Sequence, residues 1–186
     1  MSTHAKAAAK FLADRERAAW HDRALFHVRE KRDRMAHAVP EWEALRQAAS
    51  EIKLHTLSHL GRYLEEFERN ATANGMVVHW ASDAREMNRI VLDILRRHGG
   101  RTLIKSKSML SEECGLAPFL AGQGIDAVES DLGERIMQLM HRPPSHIVLP
   151  AIHVRREEVG ELFERELGTA RGDSDPTYLT HEARKH

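Results

Sequence analysis

Two short polar clusters hold the residue types that could do chemistry in this chain. KSKS (Lys105, Ser106, Lys107, Ser108) puts two ammonium groups and two hydroxyls at the end of the apolar run RTLI. ESD (Glu129, Ser130, Asp131), followed by Gly133, puts two carboxylates and a hydroxyl at the end of IDAV. The lysines, with the backbone N–H groups of a following helix, could hold a phosphate or carboxylate. Glu129 and Asp131 could act as general base, metal ligand or acceptor for ribose hydroxyls. Gly133 could supply a tight turn that brings a ligand to the backbone. The opposing reading is structural. No Gly-x-Gly-x-x-Gly or P-loop spacing accompanies the lysines. Glu112 and Glu113 already occupy the first helical turn, where they satisfy the helix dipole. The acidic strand end could simply pair with Lys105 or Lys107 across a sheet.

Further candidates are single residues. PSHIVLPAIH sets His146 before an apolar run and Pro150 and His153 at its exit. His153 could be an acid/base group, since imidazole titrates near neutral pH, or could be hydrogen-bonded at a strand end for structural reasons. His55 and His59, one helical turn apart, could share a metal, but no third ligand is evident, so a solvated pair is the simpler reading. Cys114 is the only cysteine. It permits no internal disulfide and no thiolate-ligated iron–sulfur cluster, and reads as a small buried hydrophobe rather than a nucleophile.

The elements that must position these groups follow from periodicity. Residues 5–38 are rich in Ala, Arg and Glu without Gly or Pro and read as helix, which Pro40 interrupts. Residues 41–73 carry an apolar stripe at helical spacing (Trp42, Leu45, Ala49, Ile52, Leu60, Leu64), ended by Asn74-Gly75. The period then changes. MVVHWA (76–81) reads as a strand, Ser82 or Asp83 as the N-cap of a helix reaching about residue 98, and Gly99-Gly100 as its stop. RTLIKS, IDAVES and SHIVLPAI read as further strands, with helices capped by Ser111, begun at LGERI, and spanning 155–167. Strands alternating with helices imply parallel pairing. The expected fold is α/β: long N-terminal helices (1–74), then a partial, mostly parallel sheet flanked by helices (75–168), then a loose polar tail (169–186) with a helical stub.

The chain has 186 residues, 28 basic and 28 acidic, with formal net charge +0 and 41% hydrophobic residues. That balance gives no electrostatic reason to expect nucleic-acid binding. No apolar run approaches the roughly 20 residues of a membrane span. The N-terminus lacks the uninterrupted apolar core of a secretory signal, so a cytoplasmic location is expected.

VHWA, IKSKSM followed by SEE, ESDLGE and PSHIVLPAIH stand in an order and spacing that resemble the lactate utilisation protein B family, LUD-domain iron–sulfur proteins. PEWEALRQAASEIK resembles that family's helical N-terminal region, and Ser130 stands where a threonine is usual. The resemblance implies a NagB/ribose-phosphate-isomerase-like or CoA-transferase-like LUD domain. It also implies membership of a bacterial multi-subunit system oxidising L-lactate to pyruvate, with other lactate utilisation subunits as partners. Full-length members are expected to carry [4Fe–4S] clusters on a cysteine-rich region that has no counterpart here. The chain therefore resembles an N-terminal portion, with an incomplete sheet and no expected activity alone. Lys105, Ser106, Lys107, Ser108, Glu129, Asp131, Gly133 and His153 are expected to line a site for a small anionic metabolite, phosphorylated or CoA-linked in an alternative enzymatic reading; a non-catalytic assembly module is the other alternative.

Overall fold

The computed structural model describes residues 3–185, with side chains from residue 5 onward. It divides between Trp80 and Ala81 into two compact units.

The N-terminal unit is helical: α1 (Thr3–Ala13), α2 (Arg15–His37), α3 (Trp42–Ser58) and α4 (Leu60–Ala73). Each expected long helix is broken once, for a local reason. The Asp14 carboxylate accepts the Arg17 N–H at 3.0 Å and so caps a new helix. His59 leaves helical geometry at φ −123°, its ring nitrogen Nδ1 lying 2.8 Å from the His55 carbonyl. Gly75, at φ +81°, lets α4 close with the Met76 N–H donating to the Ala71 carbonyl at 3.0 Å. The strand expected at 76–81 does not form. A strand needs a ladder partner, and the one sheet among the described residues lies elsewhere. Val77 is 79% exposed, and the Trp80 indole donates to Glu68 at 2.7 Å.

The second unit begins with α5 (Ala84–Arg97), capped by Asp83, whose carboxylate accepts from the Glu86 N–H at 2.8 Å. Glu86 in turn accepts from the Ser82 N–H at 2.7 Å, so two otherwise orphaned donors are satisfied. Then come β1 (Thr102–Lys105), α6 (Met109–Glu113), α7 (Leu116–Ala121), β2 (Asp126–Glu129), α8 (Leu132–Leu139), α9 (Arg156–Leu167) and α10 (Pro176–Ala183). Strands β1 and β2 pair in parallel, with Thr102 opposite Asp126 and Lys105 opposite Glu129. Side chains alternate across a sheet, so Leu103 and Ala127 share one face and pack with Leu92, Leu116, Leu120 and Ile125 from the flanking segments. A second cluster, Ile136, Leu162, Phe163 and Leu179, joins α8, α9 and α10.

Three expectations for this unit are corrected. Ser108, not Ser111, caps the helix after β1. SHIVLPAI forms turns rather than a strand: both the N–H and the hydroxyl of Ser145 donate to the Pro150 carbonyl at 3.1 Å, and Ile147 and Val148 are each 66% exposed. Pro150 brings no N–H to a ladder, so the segment satisfies its backbone locally. The tail carries the expected helical stub, α10, but packs rather than staying loose. Asp175 caps α10 by accepting the Tyr178 N–H at 2.9 Å, and Leu179 is buried. The approach of this tail to α9 depends on Gly160, where a Cβ would lie 2.6 Å from the Asp173 carbonyl oxygen.

Candidate functional site

The register of the sheet brings Lys105 and Glu129 together. Both end their strands on the face that carries Leu103 and Ala127 into the core, so a lysine and a glutamate are buried side by side. They form an ion pair. A second carboxylate, Glu112 from α6, stands 2.8 Å from the Lys105 Nζ, and a third, Glu134 from α8, stands 3.9 Å away. One ammonium group therefore faces three carboxylates.

Local structure fixes each partner. Ser108 accepts the Ser111 N–H at 3.3 Å and starts the short α6 that presents Glu112. Asp131 accepts the Glu134 N–H at 3.1 Å and starts α8, so its role is to place Glu134 in the first turn. One turn further along α8, Gln138 donates to the Ala127 carbonyl at 2.5 Å and accepts the Glu129 N–H at 3.3 Å, latching the helix to β2. Ser130 donates its hydroxyl to the Lys105 carbonyl at 3.0 Å and ties the two strand ends together.

Burial pushes the Glu129 carboxyl up. Lys105 pulls it back, the Glu134 carboxylate pushes it up again, and the result is about 7, against an ordinary 4.5. For Lys105, burial works against the charged form, but its bonds to Glu112 and Glu129 outweigh that and raise its pKa. Glu129 Oε2 and both oxygens of Glu134 are shut off from solvent, with the Lys105 ammonium and each other's carboxyl as their polar neighbours. A cavity of about 170 Å³ opens beside them, lined also by Glu112, Ala117, Met137, Gln138, Arg142 and two prolines. A group titrating near neutrality beside a small cavity suits proton transfer or recognition of a donor-bearing ligand.

The other predicted residues stand apart from this cluster. The Lys107 ammonium donates to the Val148 carbonyl at 2.9 Å and lies 3.7 Å from Asp131, so it holds the 145–153 turns against the strand end. Ser106 is exposed. Gly133 lies within α8, where a Cβ would be 3.1 Å from Pro150, so a proline approaches this backbone. The His153 Nδ1 lies 2.7 Å from the Ser145 hydroxyl, and the His146 Nδ1 accepts two backbone N–H groups at 3.0 Å each. His55 and His59 stack with ring centres 4.5 Å apart, and His55 Nε2 is 3.0 Å from the Tyr63 hydroxyl. No group of three potential ligands could hold a metal ion among the described residues.

Sequence reading missed Glu134, Gln138 and Arg142 and took Glu112 for a dipole partner only. Their spacing of four residues places Glu134 and Gln138 on one helical face, and that signal was available.

The LUD domain family model matches residues 64–186. Among curated relatives, the chain is 41% identical over 158 residues to a Lactate utilization protein B of Exiguobacterium sp., covering 85% of this chain and 33% of the relative. It is 41% identical over 145 residues to the Lactate utilization protein B of Geobacillus thermodenitrificans, covering 77% and 30%. It is 38% identical over 149 residues to the Uncharacterized electron transport protein YkgF of Escherichia coli, covering 80% and 31%. The chain thus spans about a third of the length of these relatives. No solved structure matches it. With the family model covering both strand ends and every element of the second unit, the chain belongs to the LUD-domain family.

Proposed function

We propose that this chain provides a LUD-type α/β module to a bacterial system oxidising L-lactate to pyruvate, in the position of its electron-transfer component. The observation that supports this most is the 41% identity to a Lactate utilization protein B over 85% of the chain. The name of the Escherichia coli relative, an electron transport protein, points the same way. Within the module, the buried cluster of Lys105, Glu112, Glu129 and Glu134 is the part that meets a ligand, and the other lactate utilisation subunits are its protein partners.

The resemblance implies [4Fe–4S] clusters for the family, and the residues of this chain do not fit one. Such a cluster takes typically four thiolates, and Cys114 is the single cysteine. It sits half-buried at the end of α6, where its carbonyl accepts from the buried Asn88 amide at 2.8 Å. No electron-transfer step is assigned to these residues. A phosphorylated or CoA-linked ligand finds little attraction at the strand ends, because Lys105 and Lys107 both already face carboxylates.

The test is deletion of the gene in its own bacterium, followed by growth on L-lactate as sole carbon source and lactate-dependent dye reduction in extracts. Loss of both, with growth on pyruvate intact, is expected. Unchanged growth and unchanged dye reduction would overturn the reading. The exposed apolar residues of α3 favour a second reading, an assembly module that docks partner subunits. It predicts that the chain co-purifies with those subunits and that polar substitutions on α3 abolish this.

A further inference from the structure

The turns that begin at Ser145 have little apolar packing to hold them. Residues 145–149 are all exposed, Ile147 and Val148 by 66% each, so hydrogen bonds decide whether this loop keeps its shape. Its anchors place it across the strand ends. Pro143 and Pro144 line the cavity beside Glu129 and Glu134. The Lys107 ammonium, just past β1, donates to the Val148 carbonyl at 2.9 Å. Pro150 is buried against α8, where a Cβ on Gly133 would lie 3.1 Å from its ring. Between these anchors the chain turns on His146, whose ring nitrogen Nδ1 lies 3.0 Å from the backbone nitrogens of both Val148 and Leu149. Backbone N–H groups only donate, so Nδ1 presents its lone pair to both and the ring proton sits on Nε2. Neutral imidazole alone can do this. Imidazolium carries a proton on each nitrogen, so its Nδ1–H would point at two other donors. Imidazole changes charge between about pH 5 and 8.

We propose that residues 143–153 form a strap over the strand ends, latched shut by the neutral His146 ring and released when that ring takes up a proton. Release removes the acceptor from Val148 and Leu149 together, and with their turn goes the carbonyl that Lys107 holds. Lys107 then keeps Asp131, 3.7 Å away, and the two prolines no longer wall the cavity. Ser145 does not replace the latch, since its N–H and hydroxyl both donate to the Pro150 carbonyl. Lys107 and Asp131 are the charged groups that face the strap from the β1 and α8 sides. His153 shares the Ser145 hydroxyl, and Arg155 and Glu158 open α9 just beyond. His141 and Arg142 precede the strap, and Glu112, Glu129 and Glu134 line the cavity with its prolines. The device stands on the loop alone and is independent of the lactate reading.

The test follows the full chain by nuclear magnetic resonance from about pH 8 to about pH 5.5, the range in which imidazole titrates. Ring nitrogen shifts of His146 report which nitrogen carries the proton. Amide exchange, divided by the intrinsic rate at each pH, reports protection at Val148 and Leu149. At the alkaline end Nδ1 is expected to be unprotonated and both amides protected. Protection should fall by about tenfold or more with the same midpoint as the ring, the size expected for two lost hydrogen bonds. His146→Asn is expected to stay latched throughout, because an asparagine carbonyl closes the same kind of turn without titrating. His146→Ala should be open at every pH. Protection independent of pH would overturn the proposal, as would an Nδ1-protonated ring at the alkaline end or amides still protected in His146→Ala. So would a parent-like pH response in His146→Asn, which would assign the proton to His153 or to Glu129, whose carboxyl sits at about 7. Signals of Leu103 and Leu120 show whether each variant keeps its core. Should a variant not fold, the unmodified chain decides: ring and amide midpoints about one pH unit or more apart would overturn the latch.

Discussion

The two units of this chain use apolar residues in opposite ways. In residues 5–80, Ala71 is the only buried side chain, and every residue of α3 is exposed. Leu45, Ile52, Leu54 and Leu57 of α3 show between 53% and 68% of their surface. In the second unit, Leu120 and Phe163 are 0% exposed and anchor two separate cores. Helices alone are stabilised weakly by propensity, since most helical stability in proteins comes from packing. The second unit can therefore carry buried charge, whose cost a packed core can absorb, while the first offers surface and local hydrogen bonds.

The largest effect that could break this contrast lies at the strand ends. Lys105→Met should cost about 3–5 kcal/mol, because it leaves Glu129 and Glu134 buried without their cation. Leu120→Ala should cost about 2–5 kcal/mol through the cavity it opens in a fully buried position. All three tryptophans, Trp20, Trp42 and Trp80, lie in the first unit. Tryptophan fluorescence therefore reports that unit, and amide hydrogen exchange along β1 and β2 reports the other. Both substitutions are expected to collapse protection at the strands. Strand protection that survives Lys105→Met would show that the ion cluster is dispensable to the second unit.

A smaller effect is its pH dependence. The Glu129 carboxyl in the folded chain sits at about 7, above its ordinary 4.5, so the folded state holds the proton more tightly than the unfolded one. Its contribution is fully present below about 4.5 and is lost as pH rises through about 7. Stability of the second unit should decline over that window with a slope no steeper than about 1.4 kcal/mol per pH unit, the limit for one proton. Glu129→Gln should remove the slope. Urea unfolding followed by hydrogen exchange at several pH values measures it, and an equal slope in the variant would assign the proton elsewhere.

What the sequence made legible follows the range of the interactions. Asp83 as a cap, the end of α4 at Asn74-Gly75 and the parallel pairing of RTLIKS with IDAVES rest on local chemistry or strong alternation, and the structure has them. MVVHWA and SHIVLPAI have strand composition too, but a strand exists only where a partner lies beside it, and composition does not supply the partner. The strand-end site was half legible. Pairing of Lys105 with an acidic strand end was one of two readings, and the register decides it. Glu112 was hidden because an acidic residue in a first turn has an ordinary explanation in the helix dipole, whereas Glu134 was legible as the helical-face neighbour of Gln138 and was passed over. Only the packing of α6 and α8 around β1 and β2 turns them into partners of one lysine.

The smallest expected effect tests the first unit. If α3 is surface, then Ile52→Ser, at a position 67% exposed, should change stability by no more than about 0.5 kcal/mol plus a small helix-propensity difference. Tryptophan fluorescence during urea unfolding measures this directly, since Trp42 opens the same helix. The same substitution is expected to matter for association, because removing one apolar side chain from a stripe that includes Leu45 and Ala49 reduces what a partner can bury, by about 25 cal/mol per Å². A loss of stability above about 2 kcal/mol in the isolated chain would mean that Ile52 is buried in solution, so that α3 belongs with the packed part of the molecule. An unchanged midpoint would keep the two units distinct: one held together by its buried cores, the other by helix caps and local hydrogen bonds.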